Sequence, residues 1–366
     1  MAIAATKTVA FNKGASVQDT ALAKHDLSQT EWRKAWGIDK NAQIRLVRLA
    51  FMQYQHPDLE VVKRFMLDFG MTPVKTTEQD VWFRGYGSDA YVYHARKGSK
   101  AFLGGAFVAE TFQDLERYAM IKDDTPLLTN GIEKMDHAPG GGSIVTSTDP
   151  EGFPLSLVYG EDQREPDEMP PEILMNDEVR KPRQRKFQRF TAGPATVFRL
   201  GHYGLVVSDF ERQSRFYASN FNLVPSTLLH VDIPATEGEP QRMYVAMFSH
   251  IDRGTELVDH HSFFLAQAAP GGETHVHHSS FEIHDLDSQM MGHDWLKKQG
   301  YRLVWGIGRH IAGSQIFDYW RDPNDFMVEH YIDGDIVNED TPVSRDLASS
   351  AQDAAWGPEV PDDFTR

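Results

Sequence analysis

The chain has 366 residues, 40% hydrophobic and 25% charged, with a formal net charge of −16 and no cysteine. Such a composition is that of an ordinary globular protein, and its excess of carboxylates repels phosphate backbones and anionic bilayers, so neither nucleic acid nor membrane is an expected partner. Without cysteine there are no disulfides, thiolate ligands or cysteine nucleophile. A cytoplasmic setting is the simplest expectation, and any metal must rest on His, Asp or Glu.

Residues 1–42 are polar and weakly periodic and read as an N-terminal arm, with no leader-like apolar stretch in "MAIAATKTVAFNKGAS". The run "RLAFMQYQHPDLEVVKRFMLDFGM" (48–71) predicts a short apolar strand, then Asp58 near a helix N-cap, then an amphipathic helix. Further strand patterns follow, ending in "DPEGFPLSLVYG" (149–160) after an Asp-Pro turn, so 43–160 forms a first unit. Residues 161–197 read as a linker, charged and proline-rich over 161–188. A second unit, 198–338, opens with "RLGHYGLVVSDFERQSRFYASNFNL" (199–223) and closes with "DPNDFMVEHYIDGD" (322–335). Residues 339–366 read as a surface tail. Strands and helices mixed in this order predict an α+β fold in two tandem units.

The two units are copies. A shift of 151 residues sets Arg48 on Arg199, Leu49 on Leu200, Asp58 on Asp209 and Phe65 on Phe216; a shift of 173 aligns the closing strands. The alignment is an internal control on the histidines. His202 faces Phe51, Glu329 faces Ser156, and matching "GAFVAETFQDL" (105–115) to "SSFEIHDLDSQ" (279–289) sets His278 on Gly104. A lone histidine in a strand is usually structural, but three donor residues all lost from the sister copy point to a site. Of the 16 histidines, 10 fall between 250 and 330, in the same half. Two imidazoles and a carboxylate suit a divalent metal with open positions, non-haem Fe(II) first, with Mn(II) or Zn(II) behind it.

Over residues 43–335 the chain resembles the type I extradiol ring-cleaving dioxygenases of the vicinal oxygen chelate superfamily. The resemblance rests on Gly201-His202, on "HSSFEI" beginning at His278, and on Glu329 in "VEHYIDGD". It implies paired βαβββ modules, two domains per chain, and Fe(II) held by His202, His278 and Glu329 in the second domain alone, with Mn(II) as the other candidate. It also implies roles for three more residues: His261 of the "DHHSFF" pair as proton carrier beside O2, and His310 and Tyr319 as groups orienting the diol. Ala312 and Gly313 replace the Asn and Asp common in biphenyl-diol enzymes, which points away from that substrate.

The implied reaction is cleavage of a substituted catechol beside its hydroxyls, with both atoms of O2 entering a hydroxymuconic semialdehyde, as in aromatic-compound degradation. Expected partners are thus a small aromatic diol and O2, and the acidic surface and arm favour a homo-oligomer. Two rivals keep the fold: a metal-dependent isomerase or lyase, and a metal-free small-molecule-binding protein. The histidines without motif support, among them His275, His277, His284, His293 and His330, are expected to be structural or solvent-facing.

Overall fold

Alternating apolar runs set the strands. A computed structural model describes residues 26–121, 126–233, 241–348 and 354–364, with five helices among these described residues. Helix α1 (Gln29–Trp36) comes first. The first half then runs β1 (Leu46–His56), α2 (Leu59–Asp68), β2 (Thr72–Thr76), β3 (Asp80–Arg84), β4 (Tyr93–Lys97), followed by β5 (Ala101–Ala109), α3 (Phe112–Ala119), β6 (Glu133–Lys134), β7 (Ser143–Thr148) and β8 (Pro154–Tyr159). The second half repeats this as β9 (Val197–Val207), α4 (Phe210–Asn220), β10 (Leu223–Ile233), β11 (Gln241–Ile251), a short β12 (Val258–Asp259) and β13 (Phe263–Gln267). Its second module is β14 (His275–Ile283), α5 (Leu286–Gln299), β15 (Arg302–His310), β16 (Ile316–Arg321) and β17 (Met327–Ile332). Both halves are pairs of βαβββ modules.

Each half forms one sheet, and the strand order is the same in both. It is β2-β3-β4-β1-β5-β8-β7-β6 in the first half and β10-β11-β13-β9-β14-β17-β16-β15 in the second. Helix entry is set by side-chain caps: Asp58 accepts from the amides of Glu60 and Val61, Thr111 from Asp114, Asp209 from Arg212 and Asp285 from Ser288. One continuous hydrophobic core runs through both halves, with Phe65, Phe69, Tyr93, Tyr203, Phe263 and Phe281 all buried in it. Full burial of each such side chain contributes about 1.5–3 kcal/mol. His330 belongs to this core: its ring stacks 3.7 Å from that of Phe69, and its Nε2 donates to the Phe69 carbonyl at 2.8 Å. It locks the halves together.

Two segments behave differently from the arm and tail expected of them. Residues 1–25 of the expected arm lie outside the described residues, but 29–36 form α1, whose Ser28 and Glu31 make a reciprocal capping box. Trp32 is fully buried, Gln29 donates to the carbonyls of Asn338 and Thr341, and Arg33 pairs with Asp252 at 2.8 Å, so α1 is sewn onto the second half. The tail extends the second sheet at both edges. After a short β18 (Ile336–Val337), β19 (Ser344–Leu347) pairs with β10 and β20 (Ala354–Trp356) with β15. The segment 160–196 carries no helix or strand.

Candidate metal centre

Strands β9, β14 and β17 lie side by side in the middle of the second sheet. His202 on β9 pairs across to Ser280 on β14, and Ser280 pairs with Glu329 on β17. A bulge in β14 between Val276 and His278 displaces the alternation there and brings His278 into the same row. The result is a small triangle. Glu329 Oε2 lies 3.1 Å from His202 Nε2 and 3.2 Å from His278 Nε2, and the two nitrogens are 3.2 Å apart. All three residues are buried.

Among the described residues this is the one group of three or more potential donors with mutually close atoms. With both imidazoles carrying their proton on Nδ1, three lone-pair atoms at this spacing repel one another unless a positive centre lies between them. Metal bonds of about 2.1 Å meeting near right angles put neighbouring donor atoms about 3.0 Å apart, so the triangle is the size of one face of an octahedron. Both Glu329 oxygens are buried with no partner beyond the two imidazole nitrogens and the Tyr319 hydroxyl, and His202 Nδ1 is buried with none. Charge agrees with geometry. Burial disfavours the charged form of His278, moving it down to about 4. Burial pushes Glu329 upward, but His202 and His278 together hold it well below the usual carboxylate range. Neutral imidazoles and an ionised carboxylate are the forms that bind a divalent cation. The residues fit such an ion.

The other expected site residues gather around the triangle. The His261 ring lies 4.2 Å from that of His202, and its Nδ1 meets His260 Nδ1 at 3.2 Å. Burial first, then neighbouring histidines, drives His261 well below the ordinary imidazole range. On the opposite flank the Tyr319 ring is 5.0 Å from His278, and the Tyr319 hydroxyl is hydrogen-bonded to His310 Nε2 at 2.8 Å. Burial, reinforced by the Glu329 charge, pushes the Tyr319 phenol well above its ordinary range.

Two histidines matter more than their sequence context suggested. His277, expected to be structural or exposed, is buried, and its Nδ1 lies 2.7 Å from His278 Nδ1. If His278 coordinates through Nε2, its Nδ1–H donates to His277, the orienting contact usual for metal-bound imidazoles. His260 is likewise buried, bonded to His261 on one side and to Thr227 Oγ1 at 3.2 Å on the other. Gly313 makes room for it, since a Cβ there would come within 2.9 Å of His260 Nδ1. Adjacent His-His pairs at 260–261 and 277–278 were the available signal.

The first half shows what the same framework looks like without a site. Phe51 pairs with Ala106 and Ala106 with Ser156, the registers that join His202, Ser280 and Glu329 in the second half. Ladder positions also equate Tyr91 with His261 and Thr146 with Tyr319. Phe51 stacks on Tyr91 at 4.4 Å, while the Ser156 and Thr146 hydroxyls bond each other at 2.8 Å. Gly104 takes the place of His278 at φ +112°, where a Cβ would lie 2.6 Å from the Pro154 carbonyl oxygen. Apolar rings fill the position.

Residues 199–330, which span the triangle, match the family described as the Glyoxalase/Bleomycin resistance protein/Dioxygenase superfamily. Over those residues the chain is similar to this superfamily. Among curated relatives, metapyrocatechase 2 of Cupriavidus necator is 26% identical over 320 residues, 85% of this chain and 88% of the relative. The iron-dependent extradiol dioxygenase of Rhodococcus jostii strain RHA1 is 24% identical over 217 residues, covering 58% and 63%. Among solved structures, homoprotocatechuate 2,3-dioxygenase of Brevibacterium fuscum, in complex with 3,4-dihydroxyphenylacetate, superposes with a TM-score of 0.68 at 20% identity, over 89% of this chain and 93% of that one. A Mn(II)-bound glyoxalase of Novosphingobium aromaticivorans gives 0.66 at 18% identity, over 88% and 94%. At these identities the structural likenesses speak for the fold.

Proposed function

We propose that this protein is an Fe(II)-dependent extradiol dioxygenase that opens a substituted catechol beside its hydroxyls. The observation that carries the reading is the His202–His278–Glu329 triangle, 3.1–3.2 Å on each edge, flanked by a second histidine pair and a His–Tyr pair. The named relatives, a metapyrocatechase and an iron-dependent extradiol dioxygenase, support the reaction class.

When bound, Fe(II) supplies open coordination positions for a catechol and O2 together and lowers the pKa of the diol. The chain's own residues do the rest. Glu329, His202 and His278 would hold the ion. Tyr319 stays protonated at this site, so it is a hydrogen-bond donor, and with His310 it orients the diol oxygens. His261 has Nδ1 committed to His260, so proton exchange with the oxygen falls to its Nε2. Phe248, 5.2 Å from the His261 ring, and Phe264, 5.1 Å from His278, exclude water. The balance is one catechol and one O2 to one hydroxymuconic semialdehyde: the ring C–C bond next to the diol and the O–O bond break, and both oxygens stay in the product.

At the equivalent points the first half offers Phe51, Gly104 and Ser156, so an isomerase or lyase that shares its donors between modules or chains gains no support from that half. The test is anaerobic loading with Fe(II) or Mn(II), metal analysis, and O2 uptake on a panel of catechol and alkylcatechols. One ion per chain and a yellow ring-opened product are expected with iron. Loaded protein that consumes no O2 with any catechol overturns the reading in favour of an isomerase or lyase.

A further inference from the structure

Phe364, in the last stretch of described chain, stands against the site. Its ring centroid is 4.8 Å from Tyr319, 4.9 Å from His277 and 4.7 Å from Trp305. His277 and Tyr319 are each 5.0 Å from His278, so His278, Tyr319, Phe364 and His277 close a circuit of ring contacts. Across the triangle, Phe248 and Phe264 stack at 5.5 Å beside His261 and His278.

Three independent devices hold the tail in this place. β20 pairs with β15 at Arg309 and His310. The Trp305 indole N–H donates to the Pro358 carbonyl at 2.9 Å. Arg302 bonds the Asp363 carboxylate at 2.6 Å, and Arg321 the Asp363 carbonyl at 3.2 Å, fixing the residue just before Phe364. Chain ends fray unless tied down, because ordering them costs conformational entropy, so this density of ties marks a built contact.

We propose that Phe364 is a specificity-determining residue: the C-terminal segment supplies an apolar wall of the catechol pocket, which limits the ring substituent and steadies Tyr319. The inference rests on the catechol reading of the site and adds the class of substituent. Among the described residues, Arg302 and Arg321 are engaged with Asp363, and the rings around Phe364 carry no fixed positive charge to meet a carboxylate. The favoured substituent is therefore small and apolar.

The experiment uses the full chain, loaded anaerobically with Fe(II), as wild type, Phe364→Ala and Phe364→Leu. Metal content is expected to be the same in all three. The ratio of kcat/KM for 4-tert-butylcatechol over catechol is expected to rise about tenfold in Phe364→Ala, with Phe364→Leu between. KM for catechol rises more than kcat falls. The absorption band of bound 4-nitrocatechol, a readout independent of turnover, is expected to broaden and its affinity to drop in the Ala variant. An unchanged ratio with an unchanged band in an active enzyme overturns the inference alone. So does a uniform rise for every catechol, which would make Phe364 a plug. Wild-type protein that neither binds nor cleaves any catechol removes the reading of the site, and this inference with it.

Discussion

Replacing His261 by Phe separates proton chemistry from metal binding. The new ring has a similar footprint beside His202, 4.2 Å away in the native protein, and keeps its contact with Phe248. It cannot bond His260, whose Nδ1 then loses its 3.2 Å partner in a buried position. An orphaned polar atom of this kind costs about 1–3 kcal/mol of stability. Chemistry should suffer more. Losing one positioned acid–base group slows a reaction by about 10²–10⁴-fold, which is about 3–5 kcal/mol of barrier. His261→Gln serves as control, because a carboxamide can still bond His260 but neither takes up nor gives up a proton in the working pH range. The assay is iron content, a urea unfolding curve and single-turnover ring cleavage for both variants. Iron is expected to stay near one per chain, stability to fall only in the Phe variant, and the cleavage rate to collapse in both. Iron-free protein, or undiminished cleavage, would refute the division between metal-holding and proton-carrying histidines.

Glu329→Ala and His278→Ala should each abolish iron retention after dialysis with little change in far-UV circular dichroism; full occupancy in both would remove the donor assignment. Phe51→Ala, emptying a fully buried site stacked on Tyr91, should cost about 3–5 kcal/mol in a urea titration yet leave iron content untouched. Stability should also fall between pH 7 and 5, in part through His250, which burial holds down at about 4. Its Nδ1–H donates to Ser226 Oγ at 2.7 Å, while Nε2 faces another donor, the Gln29 amide nitrogen, at 3.4 Å. Below its ordinary value of 6.5 the unfolded chain takes up a proton that the folded chain refuses, so stability is full above that pH and drains by about 1.4 kcal/mol per unit until pH 4. His250→Asn should make the slope of unfolding free energy against pH shallower by about that amount, and an identical slope would count against the assignment.

The triangle was legible because duplication turned one sequence into its own control. His202, His278 and Glu329 stand out only against Phe51, Gly104 and Ser156, and the strand registers place each pair at equivalent points. The strand-helix-strand order of each half was legible for the same reason. What hid were contacts that depend on tertiary neighbours. Nothing in the spacing of "HVHH" says that His277 would bond the histidine next to it, because that requires the bulge in β14. The tail reads as polar and proline-broken, and its value lies in a single ring brought against Tyr319 by distant arginines. The first helix was readable in principle from Ser28 and Glu31, three apart ahead of Trp32, but its polar setting masked it.

Gly104 has a bearing on the history of the molecule. At φ +112° its backbone leans so close to Pro154 that any side chain would collide with a carbonyl oxygen. Reinstating His, His and Glu at positions 51, 104 and 156 would therefore fail at the middle step, for the strand would first have to abandon a conformation that L-residues rarely adopt. Loss of a site by substitution is easy to reverse on paper. With the backbone in that conformation, building donors into the first half demands coordinated changes in two strands at once, so the asymmetry between the halves resists single substitutions.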